Sequence, residues 1–255
     1  MKIEGCRAIV TGGASGLGEA CVRSLAELGA YAAILDMASE RGNMLASSMG
    51  KNVIFCHTDV CSEESVQTAI NRSMDAFGGV DVAINCAGVA DPGKVLSRKG
   101  ILPLTFFNKV IQINLVGTFN VLRLASQKML ANTPSEDGER GVVINTASIA
   151  AFDGQVGQAA YSSSKAGIVG MTLPVAREFA DYGIRVLAVA PGIFKTPMIA
   201  SMPQDVQDSL GNMIPFPRRL GKPEEYAALV RHIIENPMLN GEVIRLDGAV
   251  RMAAR

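Results

Sequence analysis

The sequence has little histidine, no tryptophan and no excess of charge of either sign. It contains two histidines, His57 and His232, and 24 basic residues against 24 acidic ones. Balanced charge gives no long-range field that would draw the protein to nucleic acid or to an anionic membrane. Scarce histidine and the lack of a Cys-x-x-Cys pair argue against a structural zinc site and a histidine-based hydrolase. We therefore expect no metal site and no nucleic-acid partner.

Long apolar runs and paired cysteines are also missing. The apolar runs last six to nine residues, which is too short to span a bilayer. About ten residues precede the first predicted strand, so we expect no cleavable signal peptide. The cysteines are odd in number, and we expect them to be reduced: Cys6, Cys21, Cys56, Cys61 and Cys86. These features predict a cytoplasmic protein without a membrane partner.

Short apolar runs alternate with longer helical patterns along the chain. The predicted strands are Arg7–Thr11, Ala32–Asp36, Val53–His57, Val80–Asn85, Val142–Thr146, Arg185–Ala190 and Val243–Leu246. The predicted helices are Gly16–Leu28, Ser39–Met49, Glu63–Phe77, Leu104–Leu130, Ala159–Tyr182 and Glu224–Glu235. Most strands are continuously apolar, as expected when helices cover both faces of a parallel sheet. Without repeats or breaks in composition, the 255 residues are predicted to form one α/β domain with a doubly wound parallel sheet.

Two segments do not fit the alternation of strands and helices. Asn132–Arg140 contains Pro134, Asp137 and Gly138 and is predicted to be a surface loop. Thr196–Pro223 is a long connection containing several prolines, and connections of this length often cover a site. We therefore expect Thr196–Pro223 to be a substrate-covering segment.

A glycine-rich turn joins the first predicted strand to the first helix. Gly12, Gly16 and Gly18 would let backbone amides approach a pyrophosphate at the positive end of that helix. Asp36 ends the second predicted strand, where a carboxylate accepts hydrogen bonds from ribose hydroxyls and repels a 2′-phosphate. Met37 beside it supplies no cation. The pattern predicts NAD rather than NADP. The alternatives are a glycine-rich turn without a ligand and a role of Asp36 as a helix cap.

Tyr161 and Lys165 are separated by one helical turn, so the phenol and the ammonium would lie on the same face. Tyrosine is a poor base because its pKa is about 10 in isolation. A nearby lysine cation would stabilise the phenolate and lower that pKa. Ser148 ends an apolar run earlier in the chain and would hydrogen-bond the same substrate oxygen. The three residues predict acid–base catalysis at an alcohol or carbonyl.

These residues occur in an order that resembles the short-chain dehydrogenase/reductase family. The matching residues are Thr11–Gly18, Asn85–Gly88, Asn114, Ser148, Tyr161, Lys165 and Pro191-Gly192 followed by Thr196. The resemblance covers nearly the whole chain and implies a Rossmann-like sheet of seven parallel strands and a homotetramer. It also implies NAD binding by Gly12, Ser15, Gly16, Leu17, Gly18, Asp36, Asp59, Val60, Cys86, Ala87, Gly88, Tyr161, Lys165, Phe194 and Thr196. Cys86 stands where the family usually has asparagine. In the family the backbone at this position lies by the adenosine ribose, so this difference should affect NAD binding little.

The resemblance also implies roles for individual residues. Tyr161 would be the base, Ser148 would orient the substrate oxygen, and Lys165 would hold the nicotinamide ribose. Asn114 would bind a water that links Lys165 to solvent, or it would simply satisfy backbone groups near its helix. Phe194 either contacts the nicotinamide or only packs in the core. Substrate contacts are expected from Ser148, Gln155, Gln158 and Tyr161. The alternative for both glutamines is that they are ordinary polar residues of a loop.

Within the family, the chain is similar to the branch that reversibly oxidises (S)-3-hydroxyacyl-CoA and is also described as acting on 17β-hydroxysteroids. Asn145–Ser148, Gly154–Tyr161 and Asn240–Gly248 carry this likeness. The loop Asp91–Pro103 resembles that branch's insertion. In a eukaryote we expect such an enzyme in the mitochondrial matrix.

The same loop has cations suited to the phosphates of coenzyme A: Lys94, Arg98 and Lys99. The alternative interpretation of these cations is ordinary solvation of a surface loop. An acyl chain or a steroid would meet apolar residues of the covering segment and its surroundings: Phe152, Met198, Met202, Leu210, Met213 and Ile214. The alternatives are a hydroxysteroid dehydrogenase or 3-oxoacyl reductase of the same fold, and a noncatalytic scaffold that binds a protein or RNA partner.

Overall fold

The computed structural model describes residues 1–98 and 100–254, without the side chain of Met198. The strands are β1 (Arg7–Thr11), β2 (Tyr31–Asp36), β3 (Val53–His57), β4 (Val82–Asn85), β5 (Leu96–Ser97), β6 (Gly100–Ile101), β7 (Gly141–Thr146), β8 (Ile184–Pro191) and β9 (Val243–Leu246). In this described part, β5 and β6 form a short antiparallel hairpin. The other seven strands form one sheet in the order β3-β2-β1-β4-β7-β8-β9. Every neighbouring pair in that sheet is parallel, which confirms the predicted doubly wound, Rossmann-like fold.

Helices cover both faces of the sheet. They are α1 (Gly16–Glu27), α2 (Ser39–Met49), α3 (Glu63–Phe77), α4 (Leu104–Ile111), α5 (Gly117–Met129), α6 (Ala159–Ala180), α7 (Pro197–Ala200), α8 (Gln204–Asn212) and α9 (Pro223–Glu235). Successive side chains of a strand point to opposite faces. In β1, Val10 packs in the apolar layer with α1 and α9, whereas Ile9 packs in the layer with α3 and α5. The continuously apolar strands are therefore explained by burial on two sides.

The order of strands reverses between β1 and β4. Connections from these two strands leave toward opposite faces of the sheet, so a crevice opens at their carboxyl ends. Gly12 follows β1 directly, and Cys86–Gly88 follows β4. The topology thus brings the predicted glycine-rich turn and the second predicted cofactor segment to one place.

The helix predicted over Leu104–Leu130 is interrupted. A π-helical turn at Gln112–Val116 separates α4 from α5. Such a turn inserts one extra residue into the helix. It does not change the apolar pattern of the sequence, which therefore predicts one continuous helix. The turn places Asn114 at its centre, fully buried. The prediction of one uninterrupted helix was therefore wrong at this point.

Two other segments are more ordered than the sequence indicated. The loop at Asn132–Arg140 contains two buried polar residues, Asn132 and Glu139, so it is not a surface loop throughout. Glu139 lies inward because it pairs with the buried Arg185 at 2.7 Å. The Thr196–Pro223 connection contains the helices α7 and α8.

No helix within residues 1–98 and 100–254 is long and apolar enough to cross a membrane, and all five cysteines are free.

Candidate active site

A cavity of about 770 Å³ lies at the crevice between β1 and β4. Eleven of the predicted cofactor residues line it: Gly12, Ser15, Gly16, Leu17, Gly18, Asp36, Asp59, Val60, Cys86, Ala87 and Gly88. Thr196 also lines this cavity and reaches a second one. The structure therefore brings the nucleotide-binding candidates together around one space.

Glycine is required in the loop that enters α1. Gly12 has a φ of +63°, and a Cβ atom there would lie 2.8 Å from the backbone nitrogen of Ala87. A Cβ atom on Gly18 would collide with the carbonyl of Gly12. Side chains at these positions would separate the first turn of α1 from β1 and β4. The close approach leaves the helix N-terminus facing the cavity, where it suits a pyrophosphate. On this observation the residues fit a dinucleotide.

Asp36 both supports the glycine-rich loop and faces the cavity. Its carboxylate accepts hydrogen bonds from the backbone N–H of Ala14 at 3.1 Å and of Ala38 at 2.9 Å. Ala38 is the N-cap residue of α2, which has no side-chain cap hydrogen bond, so Asp36 holds the residue that precedes the helix and does not itself cap its first turn. Lys109 is the one cation among the described residues that line this cavity, and it is paired with Asp91 at 3.1 Å. The adenosine end is thus arranged for ribose hydroxyls rather than a 2′-phosphate.

The second cavity, of about 310 Å³, is lined by three of the four predicted catalytic residues, Ser148, Tyr161 and Lys165. Ser148 follows β7, while Tyr161 and Lys165 lie one turn apart on α6. All three line this cavity together with Gln158, Phe194 and Thr196. Leu17, Cys86, Gly88 and Val89 line both cavities. A cofactor that extends from one cavity to the other would therefore reach the catalytic side chains.

The protonation of Tyr161 and Lys165 is set chiefly by burial. Burial raises the pKa of Tyr161, and a hydrogen bond with Ser148 lowers it. Burial lowers the pKa of Lys165 to about 8, against an opposing effect of Cys86. The Lys165 ammonium donates to the carbonyl of Thr146 at 2.6 Å and lies 5.8 Å from the centroid of the Tyr161 ring. Lys165 is not among the groups that shift the pKa of Tyr161 in the protein alone, so the expected lowering by Lys165 stays a prediction for the site with cofactor.

Asn114 is fully buried and bonds to backbone beside the cavity. Its Oδ1 accepts from the N–H of Val89 at 2.8 Å, and its Nδ2 donates to the Val89 carbonyl at 2.9 Å. The second amide proton goes to Ser164 Oγ at 3.0 Å. The backbone-satisfying role is therefore realised. Both amide protons are used, so a water at Asn114 would have to donate to one of its oxygens.

Cys86 belongs to a buried polar cluster that the sequence did not indicate. Thr146 Oγ1 lies 2.7 Å from the hydroxyl of Tyr226 and donates to Cys86 Sγ at 3.5 Å. Tyr226 is a fully buried residue of α9. The cluster ties α9 to the strand whose last carbonyl holds Lys165. Its members lie far apart in the sequence, so no local pattern could reveal it.

The two glutamines expected to touch substrate are placed differently. Gln158 lines the catalytic cavity. Gln155 is not among its lining residues, because its side chain turns away and donates to the carbonyl of Ala253 at 3.0 Å. A loop polar residue has no periodicity that fixes its direction, so the sequence could not distinguish the two.

The apolar wall of the catalytic cavity also differs from the expected one. It is formed by Ile149, Ile193, Ile199 and Met252, of which only Ile199 lies in Thr196–Pro223. Four of the expected residues do not line it: Phe152, Met202, Leu210 and Met213. Ile214 packs behind the wall, against Ile149, and the side chain of Met198 lies outside the description. Apolar composition alone does not tell a residue facing a ligand from one facing solvent or core.

The basic loop is exposed. Lys94 and Arg98 are both solvent-accessible, and Lys99 lies outside the described residues. The loop is held to the active-site side of the molecule by the N–H of Gly93, which donates to the Gly157 carbonyl at 2.8 Å.

Across residues 1–98 and 100–254, no group of three or more His, Cys, Asp or Glu side chains is placed to hold a metal ion.

Comparison with known proteins gives concordant matches. The model of the family described as short chain dehydrogenase matches residues 7–207. The chain is 54% identical to 3-hydroxyacyl-CoA dehydrogenase type-2 of Homo sapiens, covering 98% of this chain and 97% of that protein. It is 53% identical to the Drosophila melanogaster protein of the same name, covering 98% and 99%. The crystal structure of 3-hydroxyacyl-CoA dehydrogenase type-2 from Mycobacterium avium superposes with a TM-score of 0.95 at 41% identity, covering 98% of each chain.

Proposed function

Because the chain belongs to the short chain dehydrogenase family and is an NAD-dependent dehydrogenase, we propose that it reversibly oxidises (S)-3-hydroxyacyl-CoA to 3-oxoacyl-CoA. One observation carries the proposal. The catalytic cavity joins the nucleotide cavity and has both an apolar wall and the Ser148, Tyr161 and Lys165 side chains. The named relatives supply the substrate class, because they are 54% and 53% identical to this chain over nearly their full lengths.

The cofactor would be held along the two cavities. Backbone amides at the start of α1 would bind the pyrophosphate, and Asp36 would bind the adenosine ribose. Asp59 and Val60 would contact the adenine, and the backbone of Cys86–Gly88 would pass beside the ribose. Lys165, Phe194 and Thr196 would hold the nicotinamide end. When bound, NAD⁺ supplies the hydride acceptor and a positive charge close to the phenol.

Tyr161 would take the hydroxyl proton of the substrate as the C–H hydride leaves. Ser148 would hydrogen-bond the substrate oxygen and stabilise the charge that develops on it. Lys165 would fix the ribose, and its charge would favour the phenolate in the closed site. Because burial raises the pKa of Tyr161 in the protein alone, we expect oxidation to quicken as pH rises and reduction to be favoured at lower pH.

The substrate would enter with its thioester end toward the exposed loop and its acyl chain toward the apolar wall. Lys94 and Arg98 lie on that loop and are available to the phosphates of coenzyme A. Their contacts would be remote from the reacting carbon, so they would lower the KM more than they change kcat. Gln158 lines the cavity and would make a polar contact to the substrate.

The proposal is tested with a substrate panel. Purified protein is assayed with 3-hydroxyacyl-CoA thioesters, free 3-hydroxy acids and hydroxysteroids, each with NAD and with NADP. We expect the highest kcat/KM for an acyl-CoA with NAD. The variant Lys94→Ala/Arg98→Ala should raise the KM for acyl-CoA, more strongly at low salt, and leave a steroid unaffected.

A matched control for the loop variant is Lys51→Ala, an exposed cation away from both cavities. An equal loss on acyl-CoA and steroid in the loop variant would show that the loop is structural. A steroid kcat/KM well above that of every acyl-CoA would overturn the substrate assignment in favour of a hydroxysteroid dehydrogenase. Folded protein without any dehydrogenase activity would leave the scaffold alternative.

We also propose a homotetramer located in the cytoplasm, or in the mitochondrial matrix of a eukaryote. The family resemblance supports the assembly, and so do exposed apolar side chains near or on α5 and α6, namely Val116, Phe119 and Leu173. The five free cysteines support a reducing compartment. Sedimentation equilibrium measures the mass of the assembly directly.

A further inference from the structure

The last described residues fold back onto the catalytic cavity. We call Val250–Ala254 the return segment. The N–H of Val156 donates to the carbonyl of Ala254 at 3.1 Å, and Gln155 donates to the carbonyl of Ala253 at 3.0 Å. The return segment is thus hydrogen-bonded to the loop that precedes Tyr161, about a hundred residues earlier in the chain.

A strained turn directs the chain into this position. Gly248 and Ala249 have φ values of +57° and +66°, and Ala249 is the one non-glycine residue with positive φ in the described ranges. Such a conformation is unfavourable for alanine and persists where surrounding contacts enforce it. Asp247 provides them, because its carboxylate accepts from the N–H of Ala249 at 3.0 Å and its carbonyl accepts from that of Val250 at 3.1 Å.

Arg245 fixes the turn to the active-site loop. Its guanidinium donates to Asp153 at 2.6 Å, to Asp247 at 2.7 Å and to the carbonyl of Val250 at 3.2 Å. It also lies over the ring of Phe152, at 5.2 Å from the centroid. One side chain therefore binds the loop before Tyr161, the turn and the return segment at once.

The return segment contributes side chains to the cavity and to its support. Val250 is 1% exposed and packs with Ile149 and Ile214, while Met252 packs against the same cluster. Met252 also lines the catalytic cavity, and it does not line the nucleotide cavity. Its long, flexible side chain occupies space that an apolar substrate group would otherwise fill.

We propose that the return segment is a wall of the substrate cavity and that Met252 sets the length of the acyl chain that the enzyme accepts. The acyl part of this statement rests on the proposed function. Shortening Met252 opens room for additional methylene groups, and burial of each one corresponds to about a fourfold change in kcat/KM. A substrate two methylenes longer than the wild-type optimum should therefore gain on the order of tenfold in Met252→Ala.

The test compares Met252→Ala, Met252→Phe and the control Met238→Ala, whose side chain is 89% exposed. Each protein is assayed with 3-hydroxyacyl-CoA thioesters of increasing chain length and, in parallel, with straight secondary alcohols of increasing length. We expect Met252→Ala to shift the preference toward longer substrates and Met252→Phe toward shorter ones. The KM for NAD should stay as in the wild type, and Met238→Ala should leave the profile unchanged. Met252→Ala should lower the melting temperature slightly, because the half-buried Met252 side chain packs against Ile149 and Val250.

The outcomes separate this inference from the proposed function. If no acyl-CoA is oxidised but the secondary alcohols are, the proposed function fails and the alcohol series still reports on Met252. If the ratio of long to short substrates stays within about twofold of the wild type in both Met252 variants, the wall does not determine chain length. A shift of equal size in Met238→Ala would also overturn the inference.

Discussion

Replacing Tyr161 by phenylalanine removes one hydroxyl group from the centre of the catalytic cavity. The ring remains, so the packing around it should be kept. Ser148 loses its hydrogen bond with the phenol but still accepts from the N–H of Ala150 at 3.1 Å. One hydrogen bond contributes about 1 kcal/mol to stability, which lowers the melting temperature of a chain of this size by roughly 2–4 °C.

The effect on turnover should be far larger. Loss of a positioned general base costs about 10²–10⁴ in kcat, or roughly 3–5 kcal/mol in the activation free energy. The rise of the wild-type oxidation rate with pH should also disappear, because the group that must lose its proton is gone. The assay is NADH absorbance across a pH series, with NAD affinity measured separately by calorimetry.

Tyr182→Phe is the matched control, since Tyr182 is an exposed residue just after α6. It should retain wild-type kinetics and pH dependence. If Ser148 and Tyr161 act as a unit, Ser148→Ala/Tyr161→Phe should be little slower than Tyr161→Phe alone. A folded Tyr161→Phe protein that binds NAD and turns over within roughly threefold of the wild type would refute the assignment of the base.

Two further predictions concern the cofactor and the core. Asp36→Ala should raise the KM for NAD by about 10–100-fold, the cost of losing hydrogen bonds to a charged group, with kcat changed little. Asp36→Asn keeps one acceptor oxygen, which can serve the Ala14 or the Ala38 amide but not both, so its KM for NAD should lie between those of the wild type and Asp36→Ala. A wild type that preferred NADP would contradict the reasoning. Glu139→Gln leaves the buried Arg185 guanidinium without its carboxylate, which should cost about 3–5 kcal/mol and lower the melting temperature by roughly 10 °C without altering the KM for NAD. Calorimetry measures the melting temperature, and the control is Glu235→Gln, which loses only an exposed ion pair at 3.9 Å. Equal melting temperatures for the two variants would show that burial of the Glu139–Arg185 pair does not affect stability.

The fold was predictable because its signals are local. β1, β3 and β9 have the predicted bounds, since each is a short apolar run between polar or turn residues. β4 begins two residues after the predicted start at Val80, and α4 and α5 were predicted as one helix because a π turn changes register without changing composition. The hairpin of β5 and β6 has two exposed residues in each strand, too few to give an alternating pattern.

The residues of the candidate site were predictable where their spacing along one helix, strand or loop fixes their positions. The glycine loop, Asp36, Tyr161 and Lys165 are examples, and all of them line the two cavities. The direction of Gln155, the position of Met252 and the hydrogen bond between Thr146 and Tyr226 depend on contacts between distant segments. Those contacts follow from tertiary packing, and a sequence pattern with a period of two or 3.6 residues does not encode them.

The fold-back of Val250–Ala254 has a consequence for how the enzyme is made. A single domain folds as a unit, and contacts between residues distant in sequence are the slower ones to form. All residues that line the nucleotide cavity lie before position 198, whereas the catalytic cavity also needs Met252. A chain whose synthesis stopped before Val250–Ala254 would therefore contain every residue of the nucleotide cavity but lack one wall of the catalytic cavity.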